Sequence, residues 1–206
     1  ATTKKARSDE DHEPPPAPPR RVIGQKGSKC RLPVKFAIPS DWKPRTFSAE
    51  GFDFEQAGYR PVCEIDAKPA GNLGVIRLWL PKAAFLTPSP TPSPTTSPGP
   101  TASPTQEADP RQALETFLRA GAGKVEKPRF RPFEAAASEG GPVTGAQVTY
   151  VRYLPTVEER KKEAAFAVPT ARGMLIVVLS GLDTEEYEEM LPAYVLVKTS
   201  IAVTAR

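Results

Sequence analysis

Two stretches of this chain, residues 1–20 and 87–105, hold 12 prolines between them and not one Leu, Ile, Val, Phe, Trp, Tyr or Cys. Ordering a backbone costs about 1–2 kcal/mol per residue, and a segment without apolar side chains has nothing to bury in return, so both are expected to be disordered. In the second, 17 of 19 positions are Pro, Ser or Thr, a composition that favours extended polyproline II and offers acceptors for O-glycans in a secreted protein. Of the other 167 residues, 43 are Leu, Ile, Val or Phe, an ordinary globular fraction. Residues 30–86 read as strands with no helix, and about 57 residues alone would be marginal. The expected organisation is therefore a disordered tether at 1–29 and one domain over 30–206, with a disordered insertion at 87–105.

Periodicity supplies the elements. Val34, Phe36 and Ile38 alternate before a Pro39-Ser40-Asp41 turn, with Trp42 closing the strand. Residues 62–66 and 73–80 read as two more strands joined around 69–72; Ile76, Leu78 and Leu80 point one way, Val75, Arg77 and Trp79 the other. Asp109-Pro110-Arg111-Gln112 opens a helix with the stripe Ala113, Leu114, Phe117 and Leu118, stopped by Gly121. Phe130 and Phe133 sit in a weak, proline-broken strand, and Val148–Leu154 is a clearer one. Ala164, Phe166 and Val168 alternate, a hairpin-length link follows at 169–173, and Met174–Leu179 is continuously apolar, as a central strand covered on both faces requires. Glu158–Glu163 reads as an exposed turn whose basic centre would meet solvent, anionic lipid heads or an acidic partner. The last element is a helix from the capping box Asp183-Thr184-Glu185-Glu186, with Tyr187, Met190, Leu191, Tyr194, Val195 and Lys198 on one face and a kink or break expected at Pro192. Together these predict an α+β fold: a mostly antiparallel sheet flanked by helices.

Cysteine and histidine counts limit the chemistry. Cys30 and Cys63 occur with a single histidine, His12, too few soft ligands for a zinc or iron–sulfur site. The two cysteines are either free or bridged, and a bridge implies an oxidising compartment; it is the expected state. The formal charge of +4 comes from 28 basic and 24 acidic residues that are interspersed, and no basic stripe with interleaved aromatics stands out, so nucleic acid is not an expected partner. The longest apolar run, Met174–Leu179, has six residues, against roughly 18 for a membrane helix.

No nucleophile–base arrangement is legible. The only histidine lies in the expected tether, there is no Gly-x-Ser-x-Gly elbow, and Gly121-Ala122-Gly123-Lys124 follows a helix rather than opening one, so a phosphate-cradling loop is not formed there. Ser138 and Ser180 read as a loop and a strand end. Glu185, Glu186, Glu188 and Glu189 spread around a helix start, where they complement the helix dipole. The chain is expected to be no enzyme and to carry no cofactor or metal. Trp42, Trp79, Tyr150 and Tyr153 are the candidate partner or ligand surface, since Trp and Tyr combine area with a polar tip; the alternative for each is a place in the core.

The strand Val34-Lys35-Phe36-Ala37-Ile38-Pro39-Ser40-Asp41-Trp42, a strand-rich middle, and an ending strand followed by Gly181-Leu182-Asp183-Thr184-Glu185-Glu186-Tyr187 and Met190-Leu191-Pro192-Ala193-Tyr194 resemble the actinobacterial surface lipoproteins of the PsbP-like class, relatives of the LpqN type. The resemblance covers residues 30–204 apart from the Pro/Ser/Thr insertion. It implies a sheet sandwiched between helices, export, and attachment to the outer face of the cell membrane through an acylated cysteine preceding Ala1. The polar head would then be the spacer between bilayer and domain. It carries no catalytic signature. The function expected is a non-catalytic binding or regulatory module at the cell envelope, acting on a membrane sensor kinase or another envelope protein; the alternative is a carrier holding a lipid or glycolipid in an apolar pocket.

Overall fold

The structure, a computed structural model, describes residues 13–46, 54–66, 74–85 and 109–204. Residues 1–12, the turn expected at 69–72 and the insertion at 87–105 lie outside the described residues. In chain order the elements are β1 (Arg21–Ile23), β2 (Val34–Ile38), β3 (Lys43–Thr46), β4 (Tyr59–Asp66), β5 (Val75–Pro81), α1 (Pro110–Ala120), β6 (Lys124–Ala137), β7 (Val143–Leu154), β8 (Glu159–Thr170), β9 (Gly173–Ser180), α2 (Thr184–Ser200) and β10 (Ala202–Val203). The strands form one sheet in the order β1-β2-β10-β6-β7-β8-β9-β5-β4-β3. Its neighbours are antiparallel except β10 and β6, which pair in parallel. The α+β expectation with helices on both sides of an antiparallel sheet stands.

Alternation along the central strands sorts their side chains into two layers. Ile76, Leu78 and Leu80 of β5, Phe166 and Val168 of β8, and Leu175, Val177 and Leu179 of β9 face inward onto α2. Trp79, Ala165, Ala167, Met174 and Ile176 face outward onto Leu114, Phe117 and Leu118 of α1. Met174–Leu179 therefore needs apolar residues at every position, as a strand covered on both faces does. Helix α1 starts where Asp109 accepts a hydrogen bond from Arg111 N (3.0 Å) with Pro110 at the first position, and ends at Gly121. The β8–β9 hairpin closes through Ala171–Arg172, with Thr170 opposite Gly173.

Helix α2 is enclosed more completely than the expected one-face packing. From Ala193 to Lys198 six successive residues are buried, so no side of that segment meets solvent. The sheet provides the enclosure by curling: β1 and β2 bring Ile23, Val34, Phe36 and Ile38 against the same helix that β8 and β9 cover from the other side. A single helix runs through Pro192, and no break occurs there. Asp183 accepts from Glu186 N (2.8 Å), and the Glu186 carboxylate accepts from Leu182 N. The two side chains satisfy opposite ends of the helix start in the manner of a capping box.

Three expectations change. The described part of the expected tether, residues 13–29, lies on the domain: Ala17 N donates to the Pro192 carbonyl (2.9 Å), Arg20 N to the Ile38 carbonyl (3.1 Å), and Arg21–Ile23 pair with β2. The Phe130–Phe133 region is the middle of a 14-residue strand; its prolines are absorbed by a register shift between Glu126 and Arg129, where Lys127 adopts φ 49°, and by pairing of Pro132 with Ala146. Glu158–Glu163 is mostly strand, because β8 begins at Glu159, and Glu163 is buried rather than solvated.

The Cys30–Cys63 disulfide is present, with Cα atoms 5.7 Å apart. It does not hold two neighbouring strands edge to edge. Cys30 lies in the β1–β2 loop and Cys63 in β4, near opposite ends of the strand order, so the bond ties the two ends of the curled sheet together. Around it the Arg21 guanidinium donates to the Trp42 carbonyl (2.7 Å), and the Thr46 hydroxyl to the Lys29 carbonyl. Gly24 lets the loop after β1 lie close on β2: at φ 96° a Cβ there would stand 2.1 Å from Val34 O.

Two outcomes follow. With a sequence separation of 33 residues, loss of the bond in Cys30→Ser/Cys63→Ser is expected to cost about 3–4 kcal/mol on the chain-entropy account, read from the denaturant midpoint; no loss would show that the sheet ends stay together unaided. Asp183→Ala is expected to cost about 1 kcal/mol, whereas Glu188→Gln and Glu189→Gln, both exposed, leave the melting temperature nearly unchanged.

Candidate interaction surface

The four aromatic candidates do not come together. Trp79 (3 % exposed) lies under α1, its ring 5.1 Å from that of Phe117, and Tyr150 (3 % exposed) is in the same outer core layer. Both are covered because even-numbered residues of β7 and odd-numbered residues of β5 point toward α1. Tyr153 is half-buried, with the Arg160 guanidinium 4.2 Å from its ring centre. Trp42 is half-buried and packs its ring against the inner core at the β2–β3 turn. Only Trp42 belongs to a surface with further character.

Two buried polar clusters were invisible in the sequence. In the first, Arg152 Nε donates to Glu163 Oε2 (3.2 Å), Nη1 to the Leu118 carbonyl (3.3 Å) and Nη2 to the Tyr150 hydroxyl (3.4 Å). Glu163 Oε1 also accepts from Ser180 (2.9 Å), and Lys161 Nζ donates to Ser180 Oγ (3.2 Å) and the Gly181 carbonyl (2.8 Å). A serine beside a lysine invites a nucleophile–base reading, but here the ammonium donates to the hydroxyl and the hydroxyl to a carboxylate, so the Ser180 oxygen is held as a link in an ion-pair network. With Gln56 Nε2 on the Phe117 carbonyl (2.8 Å), the cluster satisfies the last carbonyls of α1. Burial, then the Glu163 charge, pushes the Tyr150 hydroxyl well above its usual 10.0, while the Arg152 charge pulls it down.

The second cluster lies in the last turn of α2. Lys198, 6 % exposed at its side chain, donates to Gln147 Oε1 of β7 (2.5 Å) and to Glu13 of the N-terminal segment. A buried ammonium needs a counter-charge, and Glu13 supplies it, which fastens residues 13–20 across the helix. Nearby, the buried Tyr194 hydroxyl has no hydrogen-bond partner among the described residues. Its pKa is raised well above 10.0 by burial, then by Tyr187, Glu13 and Tyr150.

The surface of most distinct character is the seam where the sheet ends meet. Residues 20–46 contain eight Lys or Arg (Arg20, Arg21, Lys26, Lys29, Arg31, Lys35, Lys43 and Arg45) against one acid, Asp41. All eight are exposed. That excess is larger than the +4 of the whole chain, so the remainder is net acidic. Arg21 beside Trp42, and Lys29 and Cys30 beside Arg45 and Thr46, show the β1 side and the β3 edge running along one another. Arg45 and Arg77 share the buried Glu64, Arg77 Nη2 at 2.6 Å, and Asp66 stands opposite Lys43 in the β3–β4 ladder. Val22 is 48 % exposed beside these cations. The seam forms no basic stripe and no aromatic pattern in the sequence; a net-charge window of 27 residues is the signal that carries it.

The described residues include no cluster of three or more His, Cys, Asp or Glu fit for a metal ion, and no helix long and apolar enough to cross a membrane. The model of a family described as uncharacterised lipoprotein matches residues 1–91 and 101–201, and the chain belongs to that family. The interruption at 92–100 falls inside the Pro/Ser/Thr stretch. No curated protein matches the chain.

The orphan hydroxyl of Tyr194 generates an expectation. Below pH about 10 its phenol is neutral in both folded and unfolded chains; above that the unfolded phenol ionises while the folded one stays protonated, so stability is full below about pH 10 and falls above it. Tyr194→Phe is expected to hold or raise stability at pH 7 and to move alkaline unfolding to higher pH in a denaturation series. A loss of more than about 1 kcal/mol at neutral pH would show that the hydroxyl has a partner.

Proposed function

We propose that this lipoprotein is a non-catalytic binding or regulatory module of the cell envelope, held at the outer face of the cell membrane, and that it works through its surface on another envelope component. One observation supports this over the lipid-carrier alternative. The hollow of the curled sheet, where a carrier would hold its ligand, is filled by α2: Tyr187, Met190, Tyr194 and Val197 pack there against Phe36, Phe166, Ile65 and Leu78. A ligand pocket of several hundred Å³ would require that helix to leave.

The remaining chemistry agrees. Ser180, Lys161, Glu163 and Arg152 are engaged with one another beneath α1, and the disulfide suits an oxidising, extracytoplasmic setting. The PsbP-like relationship is part of the same proposal.

Native mass spectrometry of the chain purified from its membranes is the direct test. The expected spectrum is the mass of the protein with its own covalent modifications and nothing noncovalently retained. A lipid or glycolipid mass that survives desalting in stoichiometric amount, and is released on unfolding, would replace this reading with the carrier.

A further inference from the structure

We infer that the cationic seam is a membrane-docking surface: residues 20–46 rest the domain on an anionic bilayer, the same bilayer that a lipoprotein's anchor occupies. This rests on the envelope-lipoprotein reading and names the surface component that the domain contacts. Exposed Arg20, Arg21, Lys26, Lys29, Arg31, Lys35, Lys43 and Arg45 lie on or beside β1, its loop to β2, β2 and β3, and the Arg21–Trp42 and Thr46–Lys29 hydrogen bonds with the Cys30–Cys63 bond set the β1 side and the loop against the β3 edge. Half-buried Trp42 and exposed Val22 lie among them, the pairing of cations with an interfacial aromatic and an apolar side chain that suits a headgroup layer.

The choice of occupant follows from charge. A lipoprotein is held at a bilayer by its anchor, and electrostatics selects the face that turns toward the headgroups. Tethering keeps the seam at high effective concentration near the headgroups, so weak individual attractions suffice. The acidic α2 start, with Glu185, Glu188 and Glu189 exposed, is not part of the seam and would be repelled by the same surface. The eight cations, four Lys and four Arg, are long side chains set in a loop and on strands, and they fit a layer of lipid phosphates.

The probe is the full chain mixed with vesicles of equal parts phosphatidylglycerol and phosphatidylcholine, or of phosphatidylcholine alone, read by cosedimentation. Binding is expected only to the anionic vesicles and is expected to fall at least about tenfold between about 0.05 and 0.5 M salt. The variant Lys26→Glu/Lys29→Glu/Arg31→Glu/Lys43→Glu is expected to lose about tenfold or more at low salt. A second variant with the same change in charge, Lys124→Glu/Arg131→Glu/Arg160→Glu/Lys162→Glu, alters exposed positions of β6 and β8 and is expected to keep binding within about threefold. Circular dichroism and melting temperature confirm that both fold. Equal losses in the two variants, or equal binding to both kinds of vesicle, would overturn the proposal. So would binding of the seam to an acidic protein with none to vesicles, and that result would leave the binding-module reading standing. A retained lipid in the mass spectrum would instead sink that reading without touching the vesicle result.

Discussion

Helix α2 presents apolar side chains on every side over Ala193–Lys198, and a helix of that kind cannot be left on the surface of a sheet. A flat sheet covers one side. The other sides must be covered by something, and in this molecule the sheet itself bends around, with β1 and β2 closing over the face opposite β8 and β9. The remaining gap is crossed by residues 13–20, fixed by the Ala17–Pro192 hydrogen bond and the Glu13–Lys198 ion pair. Each of these features answers the same demand for enclosure.

The closure has an electrostatic consequence. Strands at the two ends of an open sheet would carry their exposed cations far apart; curling sets the β1 side against β3, and the disulfide holds them there. Like charges gathered in this way repel, which a covalent bond and buried neutralisation of Glu64 by Arg45 and Arg77 help to offset. The second helix plays a different part: α1 covers the outer apolar layer, and the Arg152–Glu163–Tyr150 cluster satisfies its carbonyl end.

Much of the secondary structure was legible because its causes are local. The Asp183 capping box, the Asp109-Pro110 start of α1, the alternation of Ile76, Leu78 and Leu80 against Trp79, and the unbroken run Met174–Leu179 all appear as expected. The errors were non-local. Trp79 and Tyr150 passed as surface candidates since an aromatic on the polar-looking side of a strand is exposed only if nothing covers that side, and α1 does. Residues 13–29 passed as tether because their few apolar groups suffice only when a formed helix and strand wait to receive them. Glu163 looked solvated until Arg152, eleven residues away, stood beside it.

The chain alone determined where its two helices start, which faces of β5 and β8 are apolar, that Met174–Leu179 is a strand covered on both sides, and that two cysteines would be available to bond. Those follow from side-chain period, capping chemistry and counting, which need only neighbours in sequence. Tertiary structure decided which ends of the sheet the disulfide joins, which aromatics are core, where a buried lysine finds its carboxylate, and that the β1 side is set against the β3 edge. The parallel pairing of β10 with β6 and the curl around α2 bring together groups separated by tens of residues or more, and no local pattern encodes a contact whose existence depends on the whole sheet having closed.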